Sequence, residues 1–278
     1  MRSIASPRVG FTQVNGARLY FEERGSGTAL VFIPGGTVDA KHFADVAEAL
    51  GPDVHTVIYD RRANSNSPRP DRWYGTSIAE QADDVAGLIE ELGLAPCALW
   101  GGSLGGVILL ELLIRRPGLV RTAMVQEPPL FAVLDDGSRI AKGLSASAAR
   151  AVRENALRDG FSDHARQSLG AAFDVLNPEA RERMFANARV FFDIEIPALV
   201  DYRTDPVGAL GRIDIPVHVM ADPHNRQTPP GRAARWLADF FGTRLTDLPG
   251  GHIPYVTAPE NTAEAIRPLV AAQGGTSQ

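Results

Sequence analysis

The stretch that decides the fold runs from Cys97 to Leu113, CALWGGSLGGVILLELL. A short apolar run ends in two glycines, Ser103 follows, and after Leu104 two more glycines open a second apolar run. A short apolar run bounded by turn signals reads as a buried strand, and a longer one as a buried helix. This helix is stopped by Pro117, whose ring cannot continue it. Ser103 thus stands on a tight turn between a strand and a helix that both belong to the core.

The chain on either side repeats this alternation. Upstream, FTQV and ARLYFEERG flank Asn15-Gly16, a pair that takes positive φ and forms a hairpin turn. TALVFIPGG is a continuous apolar run, as a strand covered on both faces should be. Phe43, Val46, Ala47 and Leu50 fall at helical spacing, VHTVIYD is a strand, and Ile78, Ala82, Val85, Leu88, Ile89 and Leu92 share one helix face. RTAMVQ is the strand after the Ser103 helix. Strands alternating with helices imply a mostly parallel, doubly wound α/β sheet. From Pro128 to Gly211 the alternation breaks, and only helical patterns appear. Ile140, Leu144, Val152 and Leu157 read as one helix, and Asn177-Pro178-Glu179 opens another. Alternation resumes at IPVHVMAD and continues through GRAARWLADFFG, RLTDLPGG and PENTAEAIRPLVAA. The expected organisation is an α/β core over residues 1–127 and 212–272, a helical insertion over 128–211, and a disordered tail at 273–278.

The bulk composition narrows the function classes. The chain has 278 residues, 44% of them hydrophobic, and a net charge of −5 without long runs of either sign. A nucleic-acid binder should show a basic patch, so no nucleic-acid partner is expected. The opening MRSIASPRVGF lacks the ~7–15-residue apolar core of a signal peptide. No run approaches the ~20 apolar residues of a membrane span. A cytoplasmic protein with no membrane partner is therefore expected. A homodimer is the assembly left open. Cys97 is the single cysteine and sits in an apolar run, which reads as a buried inert thiol.

Gly101-Gly102-Ser103-Leu104-Gly105 has the spacing G-x-S-x-G. The string alone arises by chance in about one chain in ten of this length. Its specificity comes from the strand–turn–helix context, which makes a nucleophile elbow. Small residues are needed two before and two after the serine, where Cβ atoms would strike the neighbouring strand and helix. The elbow lifts the hydroxyl to the carboxyl edge of the sheet, where open α/β sheets bind ligands. A nucleophilic serine needs a base. His218 lies in a strand, His42 and His55 on or beside early elements, and His164 in the insertion, so structural roles are read for them. His252, in DLPGGHIPYVTAPE, lies on a loop after the last strand, at the same sheet edge as the elbow. The acid is Glu127, at the end of TAMVQEPPLF, or else Asp222, directly after the strand that follows the insertion. Glu127 is favoured because a carboxylate at that buried strand end needs a partner, and because no carboxylate stands near Asn225. Gly36 and Leu104 are read as the backbone donors of an oxyanion hole, with Thr37 a near alternative. A helical insertion over the sheet edge makes an enclosed pocket. Phe131, Phe173, Met184, Phe185, Phe191 and Phe192 supply its apolar side chains, of which some must form the insertion's own core. Phe131, Phe185 and Phe192 are taken as pocket-lining, with Thr37 and Ile253 from the core.

Together these residues resemble the α/β-hydrolase superfamily over nearly the whole chain, and within it the branch containing the zearalenone lactonases. LWGGSLGG, MVQEPPL and LPGGHIPYVTAPE carry the likeness. YDRRANSNSPRP departs from it, with Ala63-Asn64 where many members have a glycine. The resemblance implies an α/β-hydrolase fold with a helical cap. It also implies Ser103 as nucleophile, His252 as base, Glu127 as acid, and no cofactor or metal. The reaction it implies is cleavage of an ester or lactone in a hydrophobic small molecule through an acyl-enzyme. Other chemistry on the same triad stays open, namely perhydrolase or haloperoxidase-like reactions, C–C hydrolysis, cyclisation or acyl transfer. So does a non-catalytic small-molecule receptor.

Overall fold

The computed structural model describes residues 6–170, 172–205 and 208–271. Eight strands form one sheet: β1 Arg8–Val14, β2 Ala17–Arg24, β3 Thr28–Ile33, β4 Val54–Tyr59, β5 Cys97–Gly102, β6 Val120–Gln126, β7 Val217–Ala221 and β8 Thr246–Asp247. Their order is β1-β2-β4-β3-β5-β6-β7-β8. β1 and β2 form the antiparallel hairpin expected at Asn15-Gly16, and β2 pairs antiparallel with β4. Every other pairing is parallel.

Both faces of the sheet are covered, and the strand sequences show why. Val31 and Ile33, Leu99, and Ala123 and Val125 turn to one face. There they pack with α2 (Ile78–Glu91), α3 (Leu104–Arg115) and α9 (Pro229–Phe240). Leu30 and Phe32, Ala98 and Trp100, and Met124 turn to the other, with α1 (Ala44–Leu50), α10 (Pro254–Thr257) and α11 (Pro259–Ala271). Strand side chains alternate with a period of two, so two buried faces demand unbroken apolar runs. Each Val, Leu, Ile, Phe or Met side chain among them contributes about 1.5–3 kcal/mol when buried. The Ser77 hydroxyl caps α2 by accepting from the Glu80 N–H, so the turn residue fixes where that helix starts.

Between β6 and β7 the described residues contain helices and no strand. They are α4 Gly137–Arg153, α5 Leu157–Leu169, α6 Ala172–Val175, α7 Pro178–Val190 and α8 Ile196–Asp201. The single helix expected through Ile140 and Leu157 is in fact two. Asn155 takes φ of 52° and breaks α4 from α5, a conformation asparagine tolerates better than most residues. α7 begins at Pro178 as expected, its N-terminus capped by the Asn177 side chain. It runs without a break through a π-helical turn, Phe191–Glu195, into α8. The tail expected to be disordered, 273–278, lies outside the described residues. Among the described residues, no helix is long and apolar enough to cross a membrane.

Candidate active site

The carboxyl ends of the parallel strands converge under the insertion. β3 delivers Gly35–Val38, β5 the turn at Ser103, β6 Glu127, β7 Asp222, and the segment after β8 delivers His252. Ser103 has φ of 53° and ψ of −127°, a strained geometry for a residue bearing a Cβ. Its N–H donates to the Gln126 carbonyl at 2.9 Å, which ties the turn to β6. Gly101 and Gly105 allow this turn by close approach. A Cβ on Gly101 would overlap the Gly105 carbonyl, and one on Gly105 would overlap the Ile33 carbonyl. α3 starts at Leu104, directly after the serine, so the first backbone N–H groups of the helix sit beside its hydroxyl.

Ser103, Leu104, Gly36, Thr37, His252 and Ile253 all line one cavity of about 650 Å³. His252 Nδ1 donates to Glu127 Oε2 at 2.5 Å. A carboxylate only accepts, so this contact places the ring proton on Nδ1 and leaves the Nε2 lone pair free. Glu127 is fully buried and also accepts from the Asp222 N–H at 2.8 Å and from Asn225 Nδ2 at 3.1 Å. Three donors thus converge on one carboxylate. No direct hydrogen bond joins Ser103 to His252 among the described residues. Such contacts often tighten only when substrate binds.

Asp222 stands elsewhere. Its Oδ2 accepts from the Gly250 and Gly251 N–H groups at 2.9 and 2.8 Å, and Oδ1 from the His224 N–H at 2.7 Å. Burial works against its charge, but the N–H groups of Gly251, His224 and Gly250 prevail and hold its pKa below the usual carboxylate range. Asp222 therefore anchors the loop that carries His252, while Glu127 touches the ring.

The cavity walls correct part of the sequence reading. Phe131, Thr37 and Ile253 line the cavity, and Phe185 and Phe192 do not. Phe185 packs edge-on against Phe161 and Phe173 under the Arg158 guanidinium. Phe192 is buried against Phe161 and Phe191 within the insertion. Their places on the wall are taken by Phe161, Met184 and Phe191. His164, assigned a structural role from its position in the insertion, also faces the cavity. The signal was present: Phe161, His164, Ala165 and Ser168 recur at helical spacing, and all four line the cavity from α5.

His164 lies 5.1 Å from the Phe191 ring. Burial pushes its pKa down to about 4, and the nearby His252 adds to the effect. An unfolded histidine titrates at ~6.5. Between those values the unfolded chain binds the extra proton and the folded chain does not. This part of the stability is therefore fully present above about pH 6.5 and is lost as pH falls toward 4, by up to a few kcal/mol. Urea unfolding of the wild type and of His164→Phe across that window should show a shallower pH slope in the variant. An unchanged slope would mean that His164 is not held neutral by the fold.

A mostly parallel sheet with helices on both faces and a helical insertion above its carboxyl edge is the α/β-hydrolase class of fold. A model of the alpha/beta hydrolase family matches residues 30–265. The chain belongs to that family, and hydrolysis is the class of reaction that membership supports. It is 27% identical over 270 residues to the uncharacterized hydrolase YraK of Bacillus subtilis, covering 94% of this chain and 95% of that one. It is 24% identical over 274 residues to a zearalenone hydrolase of Cladophialophora bantiana, covering 91% and 92%. This second relative fits the branch suggested by the motifs. Among solved structures, a thermophilic esterase from Thermogutta terrifontis superposes with a TM-score of 0.75 at 19% identity. It is covered over 98% of its length, against 95% of this chain, a likeness of fold.

Proposed function

We propose that the protein is a serine hydrolase that cleaves ester or lactone bonds of hydrophobic small molecules. The observation that carries this reading is the Glu127–His252 pair, whose histidine lines the same cavity as Ser103. Ser103 Oγ attacks the substrate carbonyl as His252 Nε2 takes the hydroxyl proton. The Glu127 carboxylate holds the ring in this tautomer and stabilises the imidazolium. The Gly36 and Leu104 N–H groups donate to the oxyanion. Collapse expels the alkoxide, which takes the proton from His252, and leaves an acyl group on Ser103. His252 then activates a water that releases the acid. A neutral His164 keeps a second positive charge away from that imidazolium.

The cavity supports the substrate class. Its volume of about 650 Å³ falls within the range of small-molecule sites. Phe131, Leu144, Phe161, Met184 and Phe191 supply apolar parts of its wall, which also carries polar and charged side chains such as Arg139, Arg150 and Gln167. A lactone would keep both halves of its product in one such pocket. The test is a panel of short acyl esters, aryl esters, macrolactones, peptides and glycosides, followed by product analysis in ¹⁸O-labelled water. Hydrolysis places the label in the acid product. A best kcat/KM on a peptide or glycoside overturns the substrate class. Acid product without label overturns hydrolysis by solvent water, and absence of turnover across the panel favours a receptor.

A further inference from the structure

Arg61 is a charged side chain buried to 2% exposure, at the carboxyl end of β4 and outside the triad. Its guanidinium makes a two-pronged contact with Glu195, Nη1 to Oε1 at 2.5 Å and Nη2 to Oε2 at 2.9 Å. Nη1 also donates to Gln81 Oε1 at 2.8 Å, and Asn64 Nδ2 donates to Glu195 Oε1 at 2.8 Å. Glu195 is the last residue of the π-helical turn in the insertion and is itself buried. Single π-turns are rare and gather at functional sites. The first residue of this turn is Phe191. Its ring lies so close over Gly36 that a Cβ there would overlap it.

The remaining contact of Arg61 gives the cluster its meaning. Nη2 donates to the Gly35 carbonyl at 2.8 Å. In a trans peptide, that carbonyl and the next N–H lie in one plane and point in opposite directions. A grip on the Gly35 oxygen therefore sets the direction of the Gly36 N–H. A second link runs the same way, since Asn187 Nδ2 of α7 donates to the Thr37 carbonyl at 2.9 Å. The loop is thus hydrogen-bonded on both sides of Gly36, by Arg61 of the core, which Glu195 of the insertion holds, and by Asn187 of the insertion itself.

We propose that Arg61, held by Glu195 of the insertion, is a positioning residue that aims the Gly36 N–H at the developing oxyanion. The inference rests on the reading of Gly36 as an oxyanion donor in the proposed reaction. Arg61 touches no substrate. It acts through the Gly35–Gly36 peptide, and Glu195 makes that action depend on the seating of the insertion.

The test compares the wild type with Arg61→Met/Glu195→Leu, which removes both buried charges together. Such replacements often leave a protein as stable as before, whereas removing one partner strands the other. Active sites are counted by burst titration with an activated aryl ester, and kcat, KM and Tm are measured. Binding of a trifluoromethyl ketone, which forms an oxyanion on Ser103, is measured as well. The expected result is a loss of about 10²-fold in kcat per titrated site. KM stays within about threefold, and ketone affinity falls in parallel with kcat/KM. Arg61→Lys is the second variant. It keeps a charge against Glu195 but has a single ammonium in place of the planar fork. It should lose kcat in the same sense with little change in Tm. An unchanged kcat per site in either folded variant, or a loss confined to KM or Tm, overturns the positioning role and leaves the proposed reaction intact. A wild type with neither turnover nor labelling at Ser103 overturns both.

Discussion

Replacing Ser103 by alanine is expected to lower kcat on any ester substrate by about 10⁶-fold, the scale of losing a serine nucleophile. The substitution removes one oxygen from the cavity floor and leaves its neighbours in place. Leu104 and Gly36 still offer their N–H groups, and the residual rate should reflect oxyanion stabilisation and binding alone. The strained backbone at φ of 53° is imposed by the strand, the helix and the flanking glycines, so the fold should survive. A fluorophosphonate should label the wild type at Ser103 and leave the alanine variant unlabelled, as read by intact-mass and peptide mass spectrometry. Labelling of the variant, or activity within about tenfold of wild type, would place the nucleophile elsewhere.

The second large effect is expected at Glu127. Glu127→Gln should reduce kcat by about 10⁴-fold, with KM much less affected. The glutamine oxygen can still accept from the Asp222 N–H, but its NH₂ group would then face His252 Nδ1. Two donors cannot share that contact, so the ring would move its proton to Nε2 and lose the lone pair that Ser103 needs. Asp222→Asn perturbs the bonds to Gly250, Gly251 and His224 but none to His252, and should cost about tenfold or less in kcat, together with a lower Tm. Steady-state kinetics and thermal unfolding of both variants decide the ranking. A larger kcat loss in Asp222→Asn would sink the assignment of Glu127 as acid.

The two carboxylates also show how far local reasoning reaches. Glu127 and Asp222 each follow an apolar strand, and the residues rank them only by the partner a buried strand-end carboxylate needs and by the absence of a carboxylate near Asn225. In the structure Asn225 donates to Glu127, so the side chain at that place serves the acid delivered by the neighbouring strand. The pocket aromatics are a harder case. Phe185, Phe191 and Phe192 are equally apolar and near neighbours on one helical run. Which of them reaches the cavity depends on how α5 and α7 are rolled against the core. The π-helical turn adds a register change there that a 3.6-residue period does not foresee.

Local chemistry alone dictates much of this architecture. Unbroken apolar runs mark strands buried on both faces, helical spacing marks the layers that cover them, and a serine between close-packed glycines marks the elbow. The chain order of Ser103, Glu127 and His252 follows from the strands that deliver them. Long-range partners are set by the folded chain. Arg61 and Glu195 stand 134 residues apart, and no local spacing pairs them. His164 reads as a helix residue of the insertion until the fold sets it beside His252. A charge enters the interior only where another chain segment supplies its counter-charge and hydrogen bonds, and no local pattern records which distant segment that will be.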